Sequence, residues 1–108
     1  MTTLKLVDPR AISAVGGFLG QRFDANREAR LKDLMLSEQF IRLHEQKQYD
    51  DWFWMGEQIG KWLDAATYTA LIAKDDALLA RVEELIGRLA AAQEDDGYLG
   101  ITSFYHRN

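Results

Sequence analysis

Cysteine is absent from the 108 residues, which removes disulfides, thiolate metal ligands and a cysteine nucleophile from this chain. Proline occurs once, at Pro9, so everything after it is free of the strongest helix breaker and long helices are permitted. Histidine occurs twice, at His44 and His106. His44-Glu45 opens like a zinc-protease helix, but no histidine follows three residues later, and no metal site is expected. Basic runs are lacking and the net charge is −4, which leaves out the electrostatic footprint of a nucleic-acid binder. No window approaches the roughly 20 apolar residues that a membrane helix needs. The first ten residues do not read as a secretory signal, and the expectation is a cytoplasmic protein with no membrane partner.

What is present has the balance of a globular chain, 47% hydrophobic and 28% charged, long enough for one domain over 1–108. Pro9 with Gly16, Gly17 and Gly20 suggests an irregular arm over 1–24. Asp24 or Asn26 then caps a first helix to about Gln48, striped by Leu31, Leu34, Met35, Phe40, Ile41 and Leu43. A second helix from about Gly56 to Ala73 places Ile59, Trp62, Leu63, Ala66, Ala70 and Ala73 at steps of three and four. Leu71, Ile72 and Tyr68 spread beyond that stripe, as in a helix covered on several sides. After the polar turn Lys74-Asp75-Asp76, a third helix repeats Leu78, Val82, Leu85, Leu89 and Ala92 and stops at Asp95-Asp96-Gly97. The fold class is all-α: three main helices over 25–98, two of them a hairpin, with a tail of turn or extended chain over 99–108.

The segment Tyr49-Asp-Asp-Trp-Phe-Trp-Met-Gly-Glu57 packs four aromatic rings and three carboxylates into nine residues. Flat apolar rings beside ionised acceptors suit a ligand with CH faces and many hydroxyls, and sugars are the commonest molecules of that kind. Rings in this number also serve as plain core. On the second helix Glu57, Lys61, Asp64 and Tyr68 share one face. That strip reads either as a solvated edge or as the wall of a wet cleft. Asp50, Asp51, Glu57, Asp64, Asp95 and Asp96 supply many carboxylates, but spacing selects no pair for glycosidic cleavage. Gly56-Glu-Gln-Ile-Gly60-Lys61-Trp62 is too short for a phosphate loop, and Gly16-Gly17-Phe-Leu-Gly20 has no preceding strand for a dinucleotide fingerprint. No serine triad is expected, and no cofactor.

Gly56-Glu-Gln-Ile-Gly-Lys-Trp-Leu-Asp-Ala-Ala66, followed by Ala92-Gln-Glu-Asp-Asp-Gly-Tyr-Leu-Gly100, resembles the beginning of a glycoside hydrolase family 127 type protein, the β-L-arabinofuranosidase-like six-hairpin glycosidases. Gly17-Phe-Leu-Gly-Gln-Arg22 and Asn26-Arg27 are similar to the family's opening segment. The resemblance implies an (α/α)6 toroid of inner and outer helices around a sugar cleft. Trp54, Glu57, Lys61, Asp96 and Tyr98 then line or support that cleft, with L-arabinofuranoside-type carbohydrate as the ligand. The family's substrate histidines, its acid/base glutamate and the cysteines that form its nucleophile and hold zinc lie further along a much longer chain. No catalytic residue is therefore assigned. The expectation is an N-terminal part of the barrel that hydrolyses nothing alone. Two alternatives stand beside it: a non-catalytic assembly module pairing through an exposed apolar face, and a free-standing three-helix protein with no sugar ligand.

Overall fold

A computed structural model describes residues 2–107, with every side chain among them except that of Phe53. Met1 of the expected arm and Asn108 of the expected tail lie outside the described residues. Four α-helices follow one another, and the described residues hold no strand. They are α1 (Gly17–Asn26), α2 (Leu34–Gln46), α3 (Gln58–Ala73) and α4 (Asp76–Ala91).

The segment read as an irregular arm is helical from Gly17 onward. Its glycines build the entry to α1 instead of breaking it. Gly17 sits at φ +64, and a Cβ on Gly20 would stand 2.2 Å from the Val15 carbonyl oxygen, so only glycine fits that closure. A five-residue π-helical turn, Arg27–Leu31, continues α1 and buries Leu31. The single helix expected to run from Asp24 or Asn26 to Gln48 is therefore divided. Asp33 is the cap, its Oδ1 accepting from the N–H groups of Met35 (2.9 Å) and Leu36 (3.2 Å).

α2 ends where Lys47 takes the left-handed conformation (φ 49) and its N–H reaches the Leu43 carbonyl. The Lys47 ammonium donates to the carbonyls of His44, at 2.7 Å, and of Ala92, which pins the end of α2 to the end of α4. A 3-10 turn, Phe53–Glu57, leads into α3. On α3, Ile59, Trp62, Ala66 and Ala70 are buried, and Leu63, Leu71, Ile72 and Ala73 are half-buried. The helix is thus covered on more than one side, as its apolar spread implied. Lys74, again left-handed, and Asp75 reverse the chain in two residues, and the Asp75 carboxylate caps α4 through the Leu78 N–H at 3.0 Å.

Leu78, Val82 and Leu85 of α4 close a core with Ile41, Ile59, Trp62, Ala66, Ala70 and Leu31. Each large side chain of this set contributes roughly 1.5 to 3 kcal/mol by leaving water. α4 ends at Ala91, before the expected stop at Asp95-Asp96-Gly97. The latter forms its own turn, with Gly97 at φ 89 and the Glu94 N–H closing on the Tyr98 carbonyl at 2.9 Å.

A polar seam joins α2 to α4. Arg88 grips Glu38 through two hydrogen bonds (2.7 and 2.9 Å) and Glu45 through two more (2.8 and 2.9 Å). Arg81 reaches Glu38 at 3.1 Å and the buried Ser37 hydroxyl at 3.0 Å. Seven residues separate the acids on α2 and seven separate the arginines on α4, two helical turns in each case, so the seam fixes the register of the two helices.

Candidate functional site

The 53–57 turn and the first turns of α3 carry Trp54, Glu57 and Lys61. Trp54 is 52% exposed. Glu57 and Lys61 stand four residues apart on an exposed face, with the lysine ammonium 2.5 Å from the carboxylate. Asp64 and Tyr68 continue that face into solvent. The buried side of α3 holds this strip in place, because the same helix cannot rotate without exposing Ile59, Trp62 and Ala66.

Asp96 and Tyr98 belong to a second group. Asp96 Oδ1 accepts from the Tyr98 N–H at 2.9 Å, which shapes the turn after α4. The Tyr98 ring lies 3.6 Å beneath the Arg107 guanidinium, and its hydroxyl accepts from the Thr102 N–H at 3.2 Å. Arg107 in turn holds Glu94 through two bonds of 2.7 and 2.8 Å, which keeps the Glu94 carboxyl below its usual range. Tyr98 is thereby fixed as part of a folded corner.

The two groups are joined by packing. Ile101 is buried, its side chain lies against Gly56 at 3.6 Å from where a Cβ would stand, and its carbonyl accepts from the Tyr49 N–H at 3.1 Å. The structure therefore brings Glu57 to Lys61 and Asp96 to Tyr98, and it connects the pairs through the 99–101 segment.

His44 is the main positioning residue that sequence reasoning passed over. Its ring is only 4% exposed, and Nε2–H donates to the Gly56 carbonyl at 3.1 Å, tying the 53–57 turn to α2. Burial pushes its pKa below the ordinary value; the Gly56 and Leu99 backbones oppose that shift, and Lys47 adds to it. The sequence signal was a lone histidine on the core side of an amphipathic helix, which fits a bonded core histidine better than a ligand.

A further cluster was not foreseen. Asp50 and His106 line an open depression of about 430 Å3 with Tyr49, Asp51 and Thr102, and Ser103 bonds to both of them. Asp50 Oδ2 lies 2.8 Å from His106 Nδ1, and Ser103 Oγ lies 3.1 Å from that same nitrogen. A proton relay needs the acid and the hydroxyl on opposite ring nitrogens, so this arrangement is not a nucleophilic triad. It serves to hold the tail: the Asp50 carboxylate also accepts from the Ser103 N–H at 3.1 Å, and the His106 bond, followed by Ser103, lowers its pKa. Among the described residues, no cluster of histidine and carboxylate has the form of a metal site. Among the same described residues, no helix is long and apolar enough to cross a membrane.

These elements define an all-α protein of helical hairpins with a ring-and-carboxylate surface at one helix start. Residues 15–107 match the family model described as β-L-arabinofuranosidase, GH127 catalytic domain, and the chain belongs to that family of glycoside hydrolases. No curated protein and no solved structure matches it.

Proposed function

We propose that this chain supplies the opening helical hairpins of an (α/α)6 toroid and one wall of its sugar cleft. In this reading α3 is an inner helix, and the strip of Glu57, Lys61, Asp64 and Tyr68 faces the lumen. Trp54 offers an apolar ring to the CH face of an L-arabinofuranoside-type sugar. Glu57 accepts from its hydroxyls, and Lys61 donates to ring or hydroxyl oxygens. Asp96 and Tyr98 support the same mouth. Bond cleavage falls to residues outside this set, so the chain binds and orients. The observation that carries the reading is the one-sided polar strip on α3, exposed together with Gly60 and Ala65 beside it while the opposite side of the helix is buried or half-buried, in a chain of glycoside hydrolase origin.

Titration of the 108-residue chain with L-arabinose and short L-arabinofuranosyl oligosaccharides, followed by tryptophan fluorescence, tests it. A saturable change is expected, weakened in Trp54→Ala and Glu57→Ala variants whose thermal melts match the parent. Flat titrations with every sugar refute the cleft-wall role.

One observation favours a second reading, an assembly module. Leu34 and Met35, at the start of α2, are 63% and 83% exposed, more than isolated surface hydrophobes require. Light scattering after size-exclusion chromatography separates the two: a concentration-dependent dimer lost in Met35→Glu supports self-association, and a strict monomer removes it.

A further inference from the structure

The π-helical turn, α2 and α3 enclose a second recess, of about 210 Å3, which shares only Lys61 with the residues of the sugar reading. Its floor is apolar, formed by Leu31, Phe40 and the indole of Trp62. Its rim is polar, formed by Asn26, Arg30, Gln58 and Lys61. All four rim heads can donate hydrogen bonds, two are cationic, and no carboxylate lines the recess.

Three observations set this recess apart from an ordinary surface dimple. The Arg30 guanidinium has no ion-pair or hydrogen-bond partner among the described residues, although the sequence is acidic overall and most other arginines are paired. Lys61 keeps Glu57 as its one carboxylate partner, so the rim retains uncompensated positive charge. Trp62 is 4% exposed and its indole N–H has no partner among the described residues, an unfavourable condition for a buried donor. Finally, the rim arginine is delivered by a π turn, seen in the Lys32 N–H bonding back five residues to the Arg27 carbonyl at 3.0 Å. Such turns are rare and are frequently found at functional sites. An uninterrupted α-helix would carry Arg30 and Leu31 to a different angle.

We propose that this recess binds a small organic anion, its acidic oxygens held by Arg30 and Lys61 and its apolar body laid over Leu31, Phe40 and Trp62. The shared chemistry is an anionic oxygen group on a compact body, carried by a carboxylate or by a phosphate. Arg30 offers a planar two-donor fork that suits either group, and Gln58 adds a neutral donor beside it. This site shares Lys61 with the strip proposed for sugar but is otherwise distinct from it, since Trp54, Glu57, Asp64 and Tyr68 do not line it.

The test is a nitrogen–proton correlation titration of the labelled 108-residue chain with sodium benzoate and, in parallel, inorganic phosphate, with sodium chloride at matched ionic strength as the blank. Saturable movement of the Trp62 indole signal and of the Gln58 and Ala65 amides is expected with at least one probe, and none with chloride. Benzoate alone identifies a carboxylate on an apolar body; phosphate identifies a phosphoryl group. Arg30→Gln weakens binding by at least about tenfold, the loss of one charge-assisted bond, and Arg30→Lys recovers part of it, with the spectrum itself reporting that each variant is folded. Unsaturable shifts with both probes, or equal affinity in Arg30→Gln, overturn the proposal.

Discussion

Acidification between pH 6.5 and 5 isolates one residue of this protein, His44. Its ring is buried on α2 and bonded to the Gly56 carbonyl, and burial holds its folded pKa below the unfolded value near 6.5. Between those two values the unfolded chain binds more protons than the folded one. Stability therefore falls as pH falls, beginning near 6.5 and levelling off below the folded pKa. A single proton gives a slope of at most about 1.4 kcal/mol per pH unit, hence a ceiling of about 2 kcal/mol down to pH 5. For a domain of this size each kcal/mol moves the melting temperature by roughly 4 to 8 °C, so the effect is readily seen. Carboxylates leave this window clear because their unfolded pKa values lie near 4. The assay is urea unfolding followed by helical circular dichroism at pH 7, 6.5, 6, 5.5 and 5, with the parent beside His44→Gln. Glutamine can still donate to Gly56 but does not titrate, and His106 is common to both proteins. The parent loses stability on acidification and the variant profile is flatter by up to one proton. Identical profiles, or a parent that gains stability in acid, refute the buried neutral histidine and with it the tether that holds the 53–57 turn.

Two further outcomes follow from the α2–α4 contact. Glu38, held mainly by Arg88 and then Arg81, has a folded pKa well below the ordinary 4.5, so its stabilisation is complete above that value and is lost progressively as pH falls toward the folded one; the gap between parent and Glu38→Gln melting temperatures should be widest at pH 7 and narrow steadily below pH 4.5, and a gap as wide at pH 2.5 as at pH 7 contradicts the charge argument. Leu85 is fully buried while its neighbour Ile86 is 50% exposed, so Leu85→Ala should cost about 2 to 5 kcal/mol in urea unfolding and Ile86→Ala within about 0.5; equal losses would mean that α4 is rotated from the described packing.

The parts of the fold legible in the sequence are those fixed by local pattern. Leu78, Val82 and Leu85 repeat at steps of four and three because only one face of α4 meets the core. The turn Lys74-Asp75-Asp76 stood out as a helix start with an aspartate cap, since polar residues precede an abrupt apolar repeat, and the structure gives that role to Asp75. Asp33 did not, because Asp24 and Asn26 satisfy the same rule seven or more residues earlier and the π turn between them leaves no periodic trace. The helix at Gly17 was hidden by its glycines, whose role depends on the approach of the Val15 carbonyl to Gly20. Of the candidate site, Glu57 and Lys61 were readable as a pair four residues apart. The clamp of Arg88 on Glu38 spans 50 residues of chain, and the bond from His44 to Gly56 requires the 49–57 segment to double back over α2. Neither has a local signature, so neither could be seen before the helices were placed.

The apolar side of α2 is covered by α3 and α4, both of which come later in the chain. A growing polypeptide thus carries Phe40 and Ile41 bare until about fifty more residues have been made. The two-residue reversal at Lys74–Asp75 shortens that wait, because once α3 has left the ribosome its antiparallel mate needs almost no search to find it.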